Sequence, residues 1–383
     1  MIPRTVRACV ALVLLASQAG AATTGGISLD AARRALAAGD AASAVTIYES
    51  LTQQGESLEA ELGLVRAALQ AGEFRKAMSW ATLTAGEHTE SSDAVALLAW
   101  MHDRVGHTEQ AIATLEQLRT DRPGDRVALA ALSNVRIERG ASATGAEKSA
   151  SLQWPRPTFE PFPVGTRRVL AAGNGIIVDR GRSVLTYAGV LPESAVAIYV
   201  RNGLGKVRRA ERIAGDEHGG KGAPGELVRL RLTESYPSAW ALPGDQVVAP
   251  EGARFCFAFG YSAPGNSAGS YPAVSPGLVF RADAGTGGLM QITSALGAGH
   301  IGSPVFDPRG RLLGLSVGTG DIVIGGENLR RRVGAGQFAV RAVPARGPSS
   351  APSRPAGPLP PMPAIEELYE RLTPSVVQII SLE

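Results

Sequence analysis

The chain has 383 residues, of which 44% are hydrophobic and 19% are charged. This is long enough for two or three globular domains and too apolar for a wholly disordered protein. The formal net charge is only +3, and two of the positive charges, Arg4 and Arg7, lie in a segment that we expect to be removed. The remainder is nearly neutral, so we expect no nucleic-acid partner and no binding to an acidic membrane surface.

Residues 1–21 have the pattern of a secretory signal peptide. Arg4 and Arg7 precede a short apolar run at residues 9–15, and Ala19-Gly20-Ala21 offers the small residues that a signal peptidase requires. The run is too short to span a bilayer stably, although an uncleaved anchor is the alternative. We therefore expect a periplasmic or secreted protein without a stable membrane anchor.

Cys256 is the one cysteine that remains after removal of the signal, so no intramolecular disulfide is expected. It lies in the apolar run Phe255-Cys256-Phe257-Ala258-Phe259. This context predicts a small buried hydrophobic side chain, with a reactive thiol as the alternative.

Residues 27–140 contain an internal repeat on a background rich in alanine and leucine. Gly39, Gly72, Gly106 and Gly140 recur at intervals of 33, 34 and 34 residues. An alanine follows each of the first three glycines at the fifth position. Such units predict pairs of helices, because glycine permits the tight turn between them and alanine permits their close approach.

This repeat resembles the tetratricopeptide repeat over about three units plus a final helix. The resemblance implies a helical solenoid that presents a surface to a protein or peptide partner. A helical spacer without a ligand is the alternative. His88, His102 and His107 lie in the array without metal-ligand spacing, which predicts ordinary surface or hydrogen-bonded histidines.

Residues 141–163 are rich in glycine, serine and proline and predict a linker. From residue 164 to residue 343, short β-type runs are separated by glycine and proline, as in an all-β barrel or sandwich. Several runs, in order, resemble the compact bacterial form of the trypsin-like serine proteases: residues 173–179, 184–191, 226–232, 291–295, 299–307, 310–315 and 325–340. The predicted fold class is therefore a multidomain chain with an all-α helical-repeat solenoid followed by an all-β trypsin-like double β-barrel.

The resemblance does not extend to the catalytic triad. The family places its histidine in a Thr-x-x-His-Val pattern, where this chain has Gly189. The acid position holds Glu226, and the nucleophile position of Gly-x-Ser-Gly-Gly-Pro holds Ile301. Since glycine cannot accept a proton and isoleucine has no nucleophilic atom, we expect this degenerate triad to be inactive.

Other residues near these positions offer an alternative chemistry. Ser303 and His300 flank the nucleophile position, and His218 lies in a glycine-rich loop. We expect none of the three to be catalytic, but a serine-type endopeptidase with an unconventional site stays open as the second hypothesis. No zinc or calcium ligand spacing is seen, and no cofactor is expected. The run Arg330-Arg331-Arg332 predicts a solvated loop, with a basic rim for an acidic partner as the alternative.

Residues 344–363 form a second, proline-rich linker, and residues 364–383 combine an amphipathic helix with an apolar strand. This last segment resembles the beginning of a trypsin-like domain. Either the strand folds back to complete the barrel as a circular permutation, or it is the stub of a second protease domain. We favour fold-back or pairing with a partner chain, because an unpaired apolar strand promotes aggregation.

These observations predict an exported, non-catalytic interaction protein of the pseudoenzyme type. Its repeats would hold one partner, and its protease-like cleft would bind an extended peptide by strand addition. Such a protein could serve as an adaptor or regulator of an active protease. A remnant without a selected role is a third possibility, and neither the partner's identity nor the oligomeric state follows from the sequence.

Overall fold

The computed structural model describes residues 27–55, 57–138, 159–213, 227–243, 247–248, 254–261, 271–282, 289–294, 300–317, 322–325, 329 and 363–383. The predicted signal peptide, Glu226, His218 and Arg330-Arg331-Arg332 lie outside this part of the chain. Within it, the fold class predicted from the sequence is confirmed: a helical repeat region precedes two β-barrels. No helix in these ranges combines the length and apolar character needed to cross a membrane.

Seven helices form the repeat region, and they are arranged as three helical hairpins and a closing helix. They are α1 (Leu29–Ala37), α2 (Ala41–Gln54), α3 (Leu58–Ala71), α4 (Phe74–Glu87), α5 (Ser92–Arg104), α6 (Thr108–Asp121) and α7 (Arg126–Glu138). The side chains of Ser28, Asp40, Ser57 and Ser91 cap helix N-termini by accepting hydrogen bonds from backbone amides.

The repeated glycines occupy the turn inside each hairpin, as the sequence predicts. Gly39, Gly72 and Gly106 have φ angles of 79°, 83° and 90°, a left-handed conformation that is strained for other residues. The three turns also face the β-barrels. A Cβ atom at Gly72 would lie 3.0 Å from Leu204, and one at Gly106 would lie 3.0 Å from Pro276. The turn edge of the repeat array therefore rests on the barrels.

In the part of the chain that the structure describes, twelve strands form two closed antiparallel barrels. The first contains β1 (Val169–Val178), β2 (Ser183–Tyr187), β3 (Ala197–Asn202), β4 (Val207–Arg212), β5 (Leu227–Leu232) and β12 (Val376–Leu382), in the order β1-β12-β3-β4-β5-β2. The second contains β6 (Arg254–Gly260), β7 (Ala273–Ala282), β8 (Leu289–Ile292), β9 (Pro304–Phe306), β10 (Leu312–Ser316) and β11 (Ile322–Gly325), in the order β10-β11-β8-β7-β6-β9.

The apolar C-terminal strand folds back into its own chain. β12 pairs with β1 on one side, from Val169↔Leu382 to Ile176↔Val376, and with β3 on the other, from Val377↔Asn202 to Leu382↔Ala197. Every residue of β12 is buried. Of the two arrangements that the sequence leaves open, the structure has the circularly permuted one, in which the last strand closes the first barrel.

Helix α8 (Ile365–Leu372) precedes this strand and joins the repeats to the second barrel. The ring of Tyr369 lies 4.3 Å from that of Phe74 on α4 and 6.2 Å from that of Phe259 on β6, measured between centroids. Its hydroxyl donates a 2.7 Å hydrogen bond to the Pro272 carbonyl. Tyr369 is 1% exposed, and burial raises its pKa well above the ordinary value. One buried side chain therefore contacts three parts of the fold.

The predicted linker at 141–163 ends against the first barrel. Phe159 and Phe162 stack over the guanidinium of Arg201, at 5.3 and 4.6 Å from the ring centroids. Arg201 is 2% exposed and donates a 2.7 Å hydrogen bond to Gln378 on β12. The described end of the linker thus covers a buried cation.

We predict that Gly106→Ala destabilises the protein more than Gly124→Ala. Both glycines have left-handed φ angles, 90° and 87°, which cost alanine ~1–2 kcal/mol. A Cβ at position 124 meets nothing within 4 Å, whereas one at position 106 also meets Val274 and Pro276. Urea denaturation measures the difference, and equal losses in the two variants would contradict the close packing of the turn edge on β7.

We also predict that Tyr369→Ala lowers the free energy of unfolding by ~3–5 kcal/mol, as for other buried aromatic truncations. The helical and barrel signals should then separate in thermal unfolding followed by far-ultraviolet and near-ultraviolet circular dichroism. Tyr236→Ala is the control, because Tyr236 is 2% exposed and its hydroxyl bonds only within the first barrel. A separation of the two signals in the control alone would refute the joining role of Tyr369.

Candidate functional site

The base position of the resemblance, Gly189, lies in the short turn that follows β2. A Cβ atom built on Gly189 would lie 2.5 Å from Cε1 of Tyr187. The half-buried tyrosine ring therefore occupies the space into which a side chain at position 189 would project. Glycine offers no proton acceptor at position 189, and the ring of Tyr187 fills the space beside it.

The nucleophile position, Ile301, lies where the two barrels meet. A Cβ on Gly173 of β1 would lie 2.8 Å from the Ile301 carbonyl and 2.5 Å from Cγ2 of Val190. The segments that contain Gly189 and Ile301 therefore both lie against β1 at Gly173. The Ile301 side chain packs against the apolar core of the first barrel, so a hydrocarbon group occupies this corner of the site.

Asn174 on β1 connects the two barrels beside these positions. Its backbone N–H donates a 2.7 Å hydrogen bond to the Ile301 carbonyl. Its side-chain oxygen accepts one of 2.8 Å from the backbone N–H of Tyr261. Its carbonyl accepts a 2.6 Å bond from Thr186. Asn174 is fully buried. Sequence reasoning placed this residue in a strand but missed its role, because no motif marks an asparagine as a contact between barrels.

The segment after Ile301 folds tightly against β10. Gly302 has a φ of 79°, and a Cβ there would lie 2.1 Å from the Asn174 carbonyl, so only glycine fits. The Gly302 amide donates to the carbonyl of Ser316, and the Ser303 amide donates to the Ser316 hydroxyl at 3.0 Å. The Ser316 hydroxyl in turn donates to the His300 carbonyl. Hydrogen bonds to Ser316 therefore fix the backbone from His300 to Ser303.

Neither of the two alternative catalytic residues in the described structure is accessible. His300 is 6% exposed and Ser303 is fully buried. A Cβ at Gly260 would lie 2.2 Å from Oγ of Ser303, which places this hydroxyl against strand β6. A nucleophile must reach its substrate within hydrogen-bonding distance, and a hydroxyl enclosed at this position does not reach the solvent.

Cys256 lies in β6 with no exposed surface, as predicted. Burial raises the pKa of its thiol to about 12. Because the thiolate is the reactive form of cysteine, this side chain serves as a small apolar residue of the core.

The structure brings together a group that the sequence did not reveal. Glu61 on α3, Glu87 at the end of α4 and His88 immediately after it have potential ligand atoms that all lie within 4.8 Å of one another. The sequence predicts no metal-ligand pattern for His88, because Glu61 is distant along the chain and no short motif contains all three residues.

We predict that Asn174→Ala loosens the contact between the barrels and costs ~1–3 kcal/mol for the buried groups left unpaired. Hydrogen exchange of the Tyr261 amide should become faster. Asn202→Ala is a matched control, since Asn202 is also fully buried but bonds to Lys206 and Pro374 beside the first barrel. Unchanged protection of Tyr261 in the Asn174 variant would contradict this assignment.

Comparisons with known proteins agree with the two predicted resemblances. Residues 173–315 match the family model of the trypsin-like peptidase domain, and residues 35–101 match that of the tetratricopeptide repeat. The search of curated proteins gave no significant match.

Several solved structures are similar in part. Deg5 is 17% identical over 44% of this chain and 87% of its own, with a TM-score of 0.33. MamA MSR-1 C2 is 16% identical over 29% and 64%, with a TM-score of 0.24. A mutant of human heparin binding protein is 15% identical over 48% and 99%, with a TM-score of 0.33. From the family matches and the observed folds, the chain combines a tetratricopeptide-repeat region with a trypsin-like peptidase domain.

Proposed function

We propose that this protein is an exported, non-catalytic binding protein in which a peptidase fold serves as a scaffold for protein or peptide partners. An adaptor or regulator of an active protease fits this architecture. The main support for the proposal is the identity and packing of the residues at the two triad positions that the structure describes. Gly189 is covered by Tyr187, and Ile301 packs into the core of the first barrel.

The size of the expected catalytic deficit supports a binding role. Loss of the serine or histidine of such a triad lowers turnover on the order of 10⁶-fold. Backbone donors and a binding cleft alone leave only ~10³–10⁴-fold acceleration over water. Gly299, which would supply part of an oxyanion hole, lies outside the described residues. A histidine side chain is absent from position 189, so Glu226 has no imidazole there to orient.

The repeat region supplies the second argument, because tetratricopeptide repeats generally mediate contacts between proteins. Here the turn edge of the array, at Gly39, Gly72 and Gly106, packs against the β-barrels and is not available to a partner. A partner would therefore bind the helix faces or the opposite edge of the array. The repeats and barrels would act as one rigid unit and not as two modules on a flexible tether.

The closed barrels leave less room for the peptide binding by strand addition that the sequence led us to expect. Each of the twelve named strands has a neighbour on both sides, although some ladders are short: β1 pairs with β2 only over Gly175–Val178, and β6 pairs with β9 only at Phe257 and Ala258. Strand addition by a partner peptide is therefore confined to the parts of a strand that extend beyond its neighbour. Recognition by side chains is the mode that this topology favours. Export is part of the same proposal, and N-terminal sequencing of the secreted material should give Ala22 as the first residue.

We expect the purified protein to leave casein and fluorogenic peptide libraries uncleaved and to resist labelling by a serine-reactive phosphonate. His300→Ala and Ser303→Ala should be indistinguishable from the wild type in both assays, because neither side chain reaches the solvent. An active trypsin-like protease treated in parallel checks the reagents. Labelling or cleavage that disappears in Ser303→Ala would establish the alternative, an endopeptidase with an unconventional site, and would end the present proposal.

A further inference from the structure

We infer that Glu61, Glu87 and His88 form a binding site for a divalent transition-metal ion, with Zn²⁺ as the natural probe. The three residues are called here the Glu61 cluster. It lies where the first turn of α3 meets the last turn of α4, within the second helical hairpin. The cluster belongs to neither the triad positions nor the contact between the barrels.

The geometry suits a single ion. Oε2 of Glu61 lies 3.3 Å from Nε2 of His88, and a carboxylate oxygen of Glu87 lies within 4.8 Å of both. For metal–ligand bonds of ~2.0–2.2 Å, two ligands of a tetrahedral ion are separated by roughly 3.4 Å. The two closest ligand atoms are thus already at the spacing that coordination requires, and an exposed Glu87 needs only a small rotation to join them.

Burial supplies an independent reason for a cation here. Glu61 is 3% exposed, and its Oε2 atom is buried without a hydrogen-bond partner. Nε2 of His88 is likewise buried and accepts or donates no hydrogen bond. The two atoms face each other at 3.3 Å without the geometry of a hydrogen bond, so the buried carboxylate is compensated only if His88 carries a proton or a cation is bound. An ion between these two atoms would satisfy both at once.

The helix ends reinforce this preference. Glu87 is the last residue of α4, and that turn contains no basic residue. The C-terminal end of a helix carries partial negative charge, so a carboxylate there is unfavourable and a cation is stabilised. On the far side of the imidazole, the Glu90 carboxylate lies 3.8 Å from Nδ1 of His88. That distance is longer than a hydrogen bond, so the exposed Glu90 carboxylate adds negative charge beside the ring without fixing its orientation.

The ligand set determines the class of metal. One imidazole nitrogen with two carboxylate oxygens favours Zn²⁺ and neighbouring transition metals over Ca²⁺ or Mg²⁺, which prefer all-oxygen sites. Three protein ligands leave at least one coordination position for water or for a partner's side chain. Glu87 is exposed, so this open position would face the surface of the repeat array.

The position of the cluster separates this proposal from the proposed function. The cluster lies at one end of the α3–α4 hairpin, and Gly72 lies at the other end, against the barrels. A helix of 14 residues such as α3 is ~21 Å long at 1.5 Å per residue. Loss of the metal site should therefore leave the inter-barrel contacts and the activity assays unchanged.

The test is isothermal titration of the metal-free, intact mature chain with Zn²⁺, with thermal unfolding in Zn²⁺ and in EDTA. We expect one ion bound per chain and a higher melting temperature with Zn²⁺, because a ligand that binds only the folded state stabilises it. Glu61→Gln, Glu87→Gln and His88→Gln should each weaken Zn²⁺ binding at least tenfold. Substitution with Co²⁺ should give visible absorption bands that the His88 variant lacks.

Glu59→Gln is the matched control, because Glu59 also lies in the first turn of α3 but pairs with Arg33. It should bind Zn²⁺ as the wild type does. Glu87→Gln keeps the test decisive if the buried Glu61 variant fails to fold, since an exposed residue at a helix end tolerates substitution. No binding at micromolar Zn²⁺, or equal binding by the wild type and the Glu87 and His88 variants, would overturn the inference.

Discussion

The insertion of β12 between β1 and β3 is the constraint on which the rest of the structure depends. If β12 were not inserted, β1 and β3 would each have an unpaired edge and the first barrel would be open between them. The apolar residues of β12, all of which are buried in the barrel, would be exposed. Because α8 leads directly into β12, closing the barrel also fixes the helix. Tyr369 is thereby held between Phe74 of the repeats and Phe259 of the second barrel. The pairing of β12 with β1 and β3 thus also fixes how both barrels contact the repeat array.

The repeat region shares its apolar core with the two barrels and is not a separate module. Buried residues of α1–α5, of both barrels and of α8 belong to one continuous apolar cluster. Polar contacts follow the same boundary: Arg104 donates to the Tyr271 carbonyl at 3.3 Å, and Arg75 pairs with Glu370 at 3.0 Å. The exposed Arg75–Glu370 pair contributes little stability by itself. The shared core and the close contacts of the glycine turns determine the arrangement.

The contact between the two barrels combines backbone hydrogen bonds with side-chain packing around β1. Asn174, Gly302 and Ser316 hold the turn at Ile301 with a network of hydrogen bonds. The Val190 side chain and the Ile301 carbonyl both lie against Gly173. The Glu61 cluster, at the far end of a repeat hairpin, offers a separate chemistry that this framework does not require.

The sequence alone determined the repeat period and the order of the β-runs. These are local properties: glycine spacing sets the turns, and alternating apolar residues set the strands. Tertiary structure alone decided which chain segment completes the first barrel, since the proline-rich linker permits either outcome. It also decided that Tyr187 fills the space at Gly189, that Asn174 joins the barrels, and that Glu61 meets His88. Each of these depends on residues distant in sequence whose approach is set by packing, and no local pattern encodes that approach.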